Sequence, residues 1–154
     1  DKIEECHGSI FHFQCAIPCC EQIWEAQQQD IEVDEKKFEA IEPFPDCPNC
    51  GNIARPNILM FNDWSWINRR SQLQTQRFMD WIHSVKQNQQ KLVINEIGAG
   101  TTVPTVRHTS EALVREYGGC LVRINPRESN VPAGNISIPL GAAEGIKQLI
   151  NTVR

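Results

Sequence analysis

The sequence predicts an α/β fold, half of a doubly wound parallel sheet with a small cysteine-bearing module inserted ahead of it. Three observations carry this. After residue 67, short apolar strands alternate with helix-period stretches, the pattern of strand–helix–strand crossovers. Before residue 51, cysteines fall into two close pairs. The charge divides along the same line: residues 15–66 hold ten acids and three bases, residues 67–154 six acids and eleven bases.

Residues 1–14 form the lead-in, ending in a strand over 9–14, and residues 15–66 form the module. Within the module, residues 25–42 are rich in glutamine and acids and read as a solvated, partly irregular insert. Ile53–Phe61 returns the chain from the module, and Pro56 bars a helix there. Residues 67–154 set the strand–helix rhythm. A helix is predicted over 69–90, because Phe78, Trp81, Ile82 and Val85 recur at i, i+3, i+4 and i+7. Leu92–Ile97 is an apolar strand, followed by the turn Gly98-Ala99-Gly100-Thr101. A helix over 105–117 turns Ser110, Leu113, Val114 and Tyr117 to one face and stops at Gly118-Gly119. Leu121–Ile124 and Asn135–Ile138 are the next strands. Ala142–Val153 is the last helix, with Ala142, Ile146, Leu149, Ile150 and Val153 inward. Three strands with crossovers amount to one half of a Rossmann-like fold. The strand Leu92–Ile97 is expected to present an open edge, which invites pairing with another chain or segment.

Seven cysteines, an odd count, argue against a disulfide framework. Cys15 with Cys19 or Cys20 makes one pair, and Cys47 with Cys50 the other. Two short pairs a few tens of residues apart suit four thiolates around one zinc, each pair on a tight turn. Cys19 is favoured over Cys20. Pro48 stiffens the second turn, and Gly51 lets backbone amides approach its sulfur. Four sulfurs leave no open coordination position, so such a zinc is structural. Cys6 and Cys120 fall in apolar, strand-like settings, where buried thiols are expected.

The net charge of −4 disfavours direct nucleic-acid binding. No apolar run is long enough to cross a bilayer. A cytoplasmic protein without a membrane partner is expected. A glycine-rich turn between a parallel strand and a helix is where phosphates and riboses bind, because its amides are free and the helix dipole is favourable. Gly98-Ala99-Gly100-Thr101 lacks the third glycine of the dinucleotide fingerprint, so a plain tight turn is an equal reading of these residues.

Taken in order, five features resemble the sirtuin family of NAD-dependent protein deacylases. His7-Gly8-Ser9 is similar to its His-Gly motif, and Cys15, Cys19, Cys47 and Cys50 to its zinc ligands. Arg55-Pro56-Asn57-Ile58-Leu59-Met60-Phe61-Asn62-Asp63 resembles a stretch running Arg-Pro-x-Val-Val-x-Phe-Gly-Glu. Gly98-Ala99-Gly100-Thr101 stands where the family has Gly-Thr-Ser, and Ile124-Asn125 with Glu128 resembles the segment that holds the adenosine ribose. Asn62, Asp63, Ala99 and Gly100 depart from the family pattern, and the match is better to a divergent branch.

The resemblance implies a lysine deacylase that cleaves NAD to nicotinamide and O-acyl-ADP-ribose. His7 would be the base that activates a ribose hydroxyl, a task an imidazole can perform. His12, His83 and His108 are expected at the surface or in packing. Gly98, Ala99, Gly100, Thr101, Asn125, Arg127, Gly141 and Ala142 would contact NAD. Met60, Phe61, Asn62 and Asp63 would form an edge onto which an acyl-lysine peptide adds as a strand. Trp64 and Trp66 either line the acyl-lysine tunnel or pack structurally. The family's first half, with its nicotinamide pocket, is expected to lie outside this sequence, leaving the chain inactive alone. Two other readings stand beside deacylation: ADP-ribosyl transfer by the same fold, and a non-enzymatic, zinc-stabilised protein-interaction module.

Overall fold

The computed structural model describes residues 2–27 and 31–152. The chain divides into two compact units, Asp1–Trp81 and Ile82–Arg154. The expected mixed α/β fold with a parallel sheet is present.

In the first unit β1 (Gly8–Cys15) is the central strand of an antiparallel sheet. It pairs with β2 (Ile23–Glu25) on one side. The other neighbour is numbered β5 in chain order (Ala54–Ile58). Phe13 stands opposite Trp24 on one neighbour and Pro56 on the other. The register jumps between Ser9 and Phe13, and the extra residues throw Ile10 and Phe11 out to solvent. Pro56, which has no N–H to give a ladder, is tolerated beside this irregularity.

The acidic insert is more regular than its composition suggests. β3 (Val33–Asp34) and β4 (Glu39–Ala40) form a hairpin. The Asp34 carboxylate fixes its turn by accepting the Lys36 and Lys37 N–H groups at 2.9 and 3.2 Å.

The unit's interior is partly polar. Gln14 and Asn57 are fully buried beside Phe13 and Cys15. Asn57 Nδ2 donates to Gln14 Oε1 at 2.8 Å, and the same oxygen accepts the Ile67 N–H at 2.9 Å. Gln14 Nε2 donates to Ser65 O at 2.8 Å. The buried amide pair thus supplies the hydrogen bonds that the irregular stretch after β5 cannot make for itself.

α1 (Arg69–Gln87) ends three residues short of its expected boundary, and Gln89 beyond it is left-handed at φ 52°. Its apolar stripe is not wholly inward. Ile82 and Val85 are buried, Phe78 is half-buried, and Trp81 is 54% exposed. In the first unit the buried positions are Ser71 and Gln74. The reason lies in the lead-in backbone, which takes its partners from this helix: Glu5 N–H donates to Gln74 Oε1 at 2.8 Å, and Ser71 Oγ donates to Glu5 O at 3.0 Å. Cys6 is therefore in a turn and half-buried, not in a strand core.

The second unit holds a three-stranded parallel sheet in the order β6-β7-β8, formed by Val93–Ile97, Cys120–Ile124 and Ile136–Ile138. α2 (Thr105–Tyr117) joins β6 to β7. The connection from β7 to β8 carries no helix. Asn135, expected as the first residue of the third strand, lies outside it. Its Oδ1 instead accepts the Leu121 N–H at 2.8 Å. β6 is an edge of the sheet, with Val93 and Ile97 exposed. Cys120 opens β7 half-buried.

The apolar core is Val122, Ile124 and Ile138, with Cys120, Leu140 and Leu149 against it. α3 (Ala142–Thr152) approaches this core through Gly145, not through the expected apolar face. A Cβ on Gly145 would stand 3.2 Å from Ile124 Cδ1, so the helix comes too close for a larger residue there. The consequence is a rotated helix: Leu149 is half-buried, while Ala142, Ile146 and Ile150 are exposed. Val153, also expected inward, lies outside the described residues.

The sheet contains a buried ion pair that the apolar reading of its strands misses. Glu96 and Arg123 are register partners on β6 and β7, and both side chains are fully buried. Arg123 Nε bonds Glu96 Oε1, and its Nη2 donates to Glu96 Oε2 at 3.0 Å and to Glu111 Oε1 at 2.9 Å. Burial opposes the Arg123 charge, but the two carboxylates outweigh it and hold the guanidinium protonated more firmly than usual.

Candidate functional site

β1 ties two parts of the first unit's site together, with His7-Gly8 at its start and Cys15 at its end. His7 occupies a turn with Cys6 and is half-buried. Glu5 O accepts the Gly8 N–H at 2.9 Å and closes this turn, and His7 O accepts the Leu59 N–H at 2.9 Å. Glu5 is itself clamped to α1 by Gln74, Ser71 and the Arg70 ion pair. The hydrogen bond from Gln74 Nε2 works against a burial cost and, with Arg70, holds the Glu5 carboxyl below its usual range. Sequence reasoning did not single out Glu5; its contacts are long-range, and no local spacing encodes them.

Gly8 must be glycine. It is left-handed at φ +84°, and a Cβ there would fall 3.1 Å from Ile58 Cα and closer still to the Asn57 carbonyl. Gly8→Ala is expected to break the β1–β5 pairing and the His7 turn, lowering the first unit's melting temperature by roughly 5 °C or more. A melting curve unchanged within 1 °C would refute this.

The four cysteines Cys15, Cys19, Cys47 and Cys50 come together, with all four Sγ atoms within 4.8 Å of one another. Cys15 and Cys50 are 3.7 Å apart, as are Cys19 and Cys47. Zinc–sulfur bonds of about 2.3 Å in a tetrahedron imply sulfur–sulfur edges of about 3.8 Å, so the donor set fits zinc. Cys20 lies outside the group, 3.8 Å from Cys19. The second turn is built by Cys47 N–H donating to Asn52 O at 2.6 Å and Gly51 N–H to Cys47 O at 2.9 Å. The Asn49 amide is the first cause of a Cys19 thiol lowered to about 6. The Asn52 N–H works to lower Cys50, but hydrogen bonding with Cys19 and the other thiols pushes it up to about 12. Thiols competing for their protons in this way are what a cation relieves.

The segment expected to be a substrate edge is a turn in this structure. β5 ends at Ile58, Asn62 is left-handed at φ 58°, and Asp63 N–H donates to Met60 O at 3.3 Å. Met60 and Phe61 are exposed. Asp63 is turned inward instead, because its carboxylate pairs with Arg55 Nη2 at 2.7 Å and accepts the Ser65 hydroxyl at 3.0 Å. Burial raises the Asp63 carboxyl, but Arg55 and Ser65 outweigh this and hold it below its usual range. Trp64 is fully out in solvent, and Trp66 is half-buried with its Nε1 unpaired. His12 is half-buried, and burial lowers its imidazole. His83 and His108 are exposed.

In the second unit, the residues expected to meet NAD lie on the loops after β6 and β7 and at the start of α3. Gly98 is left-handed at φ +73°, and no atom lies within 4 Å of where its Cβ would be; the same space is open at Gly141. A Cβ on Gly100 would meet Glu128 Oε2 at 3.3 Å. This open cradle fits a group that must approach the backbone closely. Free amides are the expectation for this turn, but two are occupied: Gly98 N–H donates to Ile124 O at 2.9 Å and Thr101 N–H to Glu128 Oε2 at 3.1 Å. The Thr101 hydroxyl bonds the same carboxylate and is the first cause of its lowered pKa. Asn125 is buried; its Nδ2 donates to Ala99 O at 3.1 Å, and its Oδ1 accepts the Arg127 and Glu128 N–H groups at 3.0 and 2.8 Å. The Arg127 side chain, Gly141 and Ala142 are exposed. Arg107, buried beneath both loops, is the residue the sequence reading passed over. Its clue is a helical spacing, Arg107, Ser110 and Leu113 sharing the buried face of α2.

Two curated proteins are similar to the chain along nearly its whole length. An NAD-dependent protein deacylase of Thermococcus kodakarensis is 22% identical over 156 residues, covering 99% of this chain and 53% of the relative. An NAD-dependent protein deacylase 2 of Corynebacterium efficiens is 24% identical over 156 residues, covering 97% and 52%. The chain spans about half the length of the curated relatives it matches. The sequence model of the Sir2 family matches residues 1–103, well over half of the chain, and the chain belongs to that family.

Proposed function

We propose that the chain carries the catalytic-histidine, zinc and adenosine-side portions of an NAD-dependent protein lysine deacylase. The observation that carries the reading is β1, which joins the glycine-fixed His7 turn to the first of four converging sulfurs. Zinc held by Cys15, Cys19, Cys47 and Cys50 would brace this sheet and leave no open position for chemistry. NAD, when bound, supplies the ribose carbon that accepts the acyl oxygen. His7 would take the proton of a ribose hydroxyl at one of its ring nitrogens. Thr101, Asn125 and Glu128 would hold ribose hydroxyls, and the open glycines Gly98, Gly100 and Gly141 would admit the phosphates and adenine. The exposed Met60–Asn62 turn, with Phe61 at its tip, would receive the acyl-lysine peptide of a protein substrate. The edge of β6 would pair with a further segment or chain.

The 154-residue chain is expected to be inactive alone. An acetyl-lysine peptide with NAD, followed by mass spectrometry, tests this. No product is expected from the chain itself. Equal amounts of nicotinamide and O-acetyl-ADP-ribose are expected once it is joined to the nicotinamide-gripping half of a family member. His7→Ala should reduce that turnover at least 100-fold. Turnover that survives His7→Ala would refute its role as base. Transfer of ADP-ribose to the peptide without deacylation would favour the transferase reading.

A further inference from the structure

We propose that Arg107 is a positioning residue for the nucleotide loops, locking the turn at Gly98–Thr101 against the segment from Asn125 to Asn130. The inference rests on the nucleotide reading above and adds the group that holds the site in shape. Arg107 is the third residue of α2 and is 8% exposed. Its guanidinium spends both terminal nitrogens on backbone carbonyls. Nη1 donates to Asn130 O at 3.3 Å, and Nη2 donates to Ala99 O at 3.3 Å and to Glu128 O. These three carbonyls belong to both loops. Asn125 and Glu128 also bridge the loops, but they are members of them, whereas Arg107 reaches both from a helix.

The arginine fork is committed to backbone carbonyls of the two loops, as a positioning role requires. The planar fork fixes the directions of several carbonyls at once, which an ammonium cannot do. The loops so held are also joined to each other, because the Glu128 carboxylate accepts both the Thr101 N–H and the Thr101 hydroxyl. Asn130 O is additionally held by Arg123 Nη1, so the far end of the second loop is anchored to the sheet. A ligand entering loops already held in place avoids the entropy of ordering them.

Amide hydrogen exchange on the unliganded chain, with and without an ADP-ribose titration, tests the proposal in wild type, Arg107→Met and Arg107→Lys. In Arg107→Met the Thr101, Arg127 and Glu128 amides are expected to exchange at least ten-fold faster, while those of Val122 and Ile124 stay within two-fold. ADP-ribose affinity should fall at least ten-fold in Arg107→Met and recover in part in Arg107→Lys, which keeps the charge. Equal acceleration of strand and loop amides would mark Arg107 as merely structural and overturn the proposal. Unchanged loop exchange with intact ADP-ribose binding would overturn the role of Arg107 alone. A folded wild type that takes up no ADP-ribose would overturn the nucleotide reading and the proposed role with it.

Discussion

Removing zinc from the four-cysteine site proposed above is expected to unfold the first unit. Its sheet is small, its interior is shared between apolar side chains and the Gln14–Asn57 pair, and two of its buried apolar residues, Cys15 and Cys47, belong to the four-sulfur group. A structural zinc in a module of this kind contributes about 10–16 kcal/mol to folding. That is as large as the whole stability of an ordinary domain, about 5–15 kcal/mol. Freshly purified protein should hold one zinc per chain. Cys15→Ser and Cys47→Ser should lose the metal and the β1–β5 pairing together, and a strong chelator should do the same. Cys20→Ser should keep the zinc, since Cys20 lies outside the four-sulfur group. Less than one zinc per chain, or a Cys47→Ser variant that still binds it, would refute the four-sulfur site.

Arg123→Met is expected to destabilise the second unit by about 3–5 kcal/mol, read as a shift of its urea midpoint. The cost comes less from the lost attraction than from the carboxylate left behind: Glu96 is fully buried and takes two of the Arg123 nitrogens. Removing both charges tests this account of the cost. Arg123→Met with Glu96→Leu should recover most of the loss, because apolar groups of similar volume often replace a buried ion pair without penalty. Glu111 is 29% exposed and can turn to water. A single variant within 1 kcal/mol of wild type, or a double variant no better than the single, would contradict this.

The parts of the molecule legible in the sequence are those that local patterns encode. The strand–helix rhythm gives the parallel sheet, and the cysteine spacing brings out four residues whose sulfurs converge. What stayed hidden is polar and long-range. Glu96 and Arg123 stand at equivalent positions of two neighbouring strands, but each strand read singly is an apolar run with one charge in it. Gln14 and Asn57 meet across the sheet, and Arg107 satisfies carbonyls 8 to 23 residues away. The apolar pattern also misled where a backbone approach decided the packing. Gly145 brings α3 onto Ile124 and leaves Ile146 and Ile150 exposed. The Met60–Asp63 stretch reads as a continuation of β5, but Asp63 is claimed by Arg55 and the chain turns before it.

The loops after β6 and β7 are expected to hold the adenosine side of NAD, as proposed above for this member of the Sir2 family. Isothermal titration of the zinc-loaded 154-residue chain with ADP-ribose tests it most directly. One ADP-ribose per chain is expected, with no competition from nicotinamide mononucleotide, and Gly98→Val, which fills the cradle, should abolish binding. A folded, zinc-loaded chain that takes up no ADP-ribose at millimolar concentration would contradict the account and favour a zinc-stabilised interaction module.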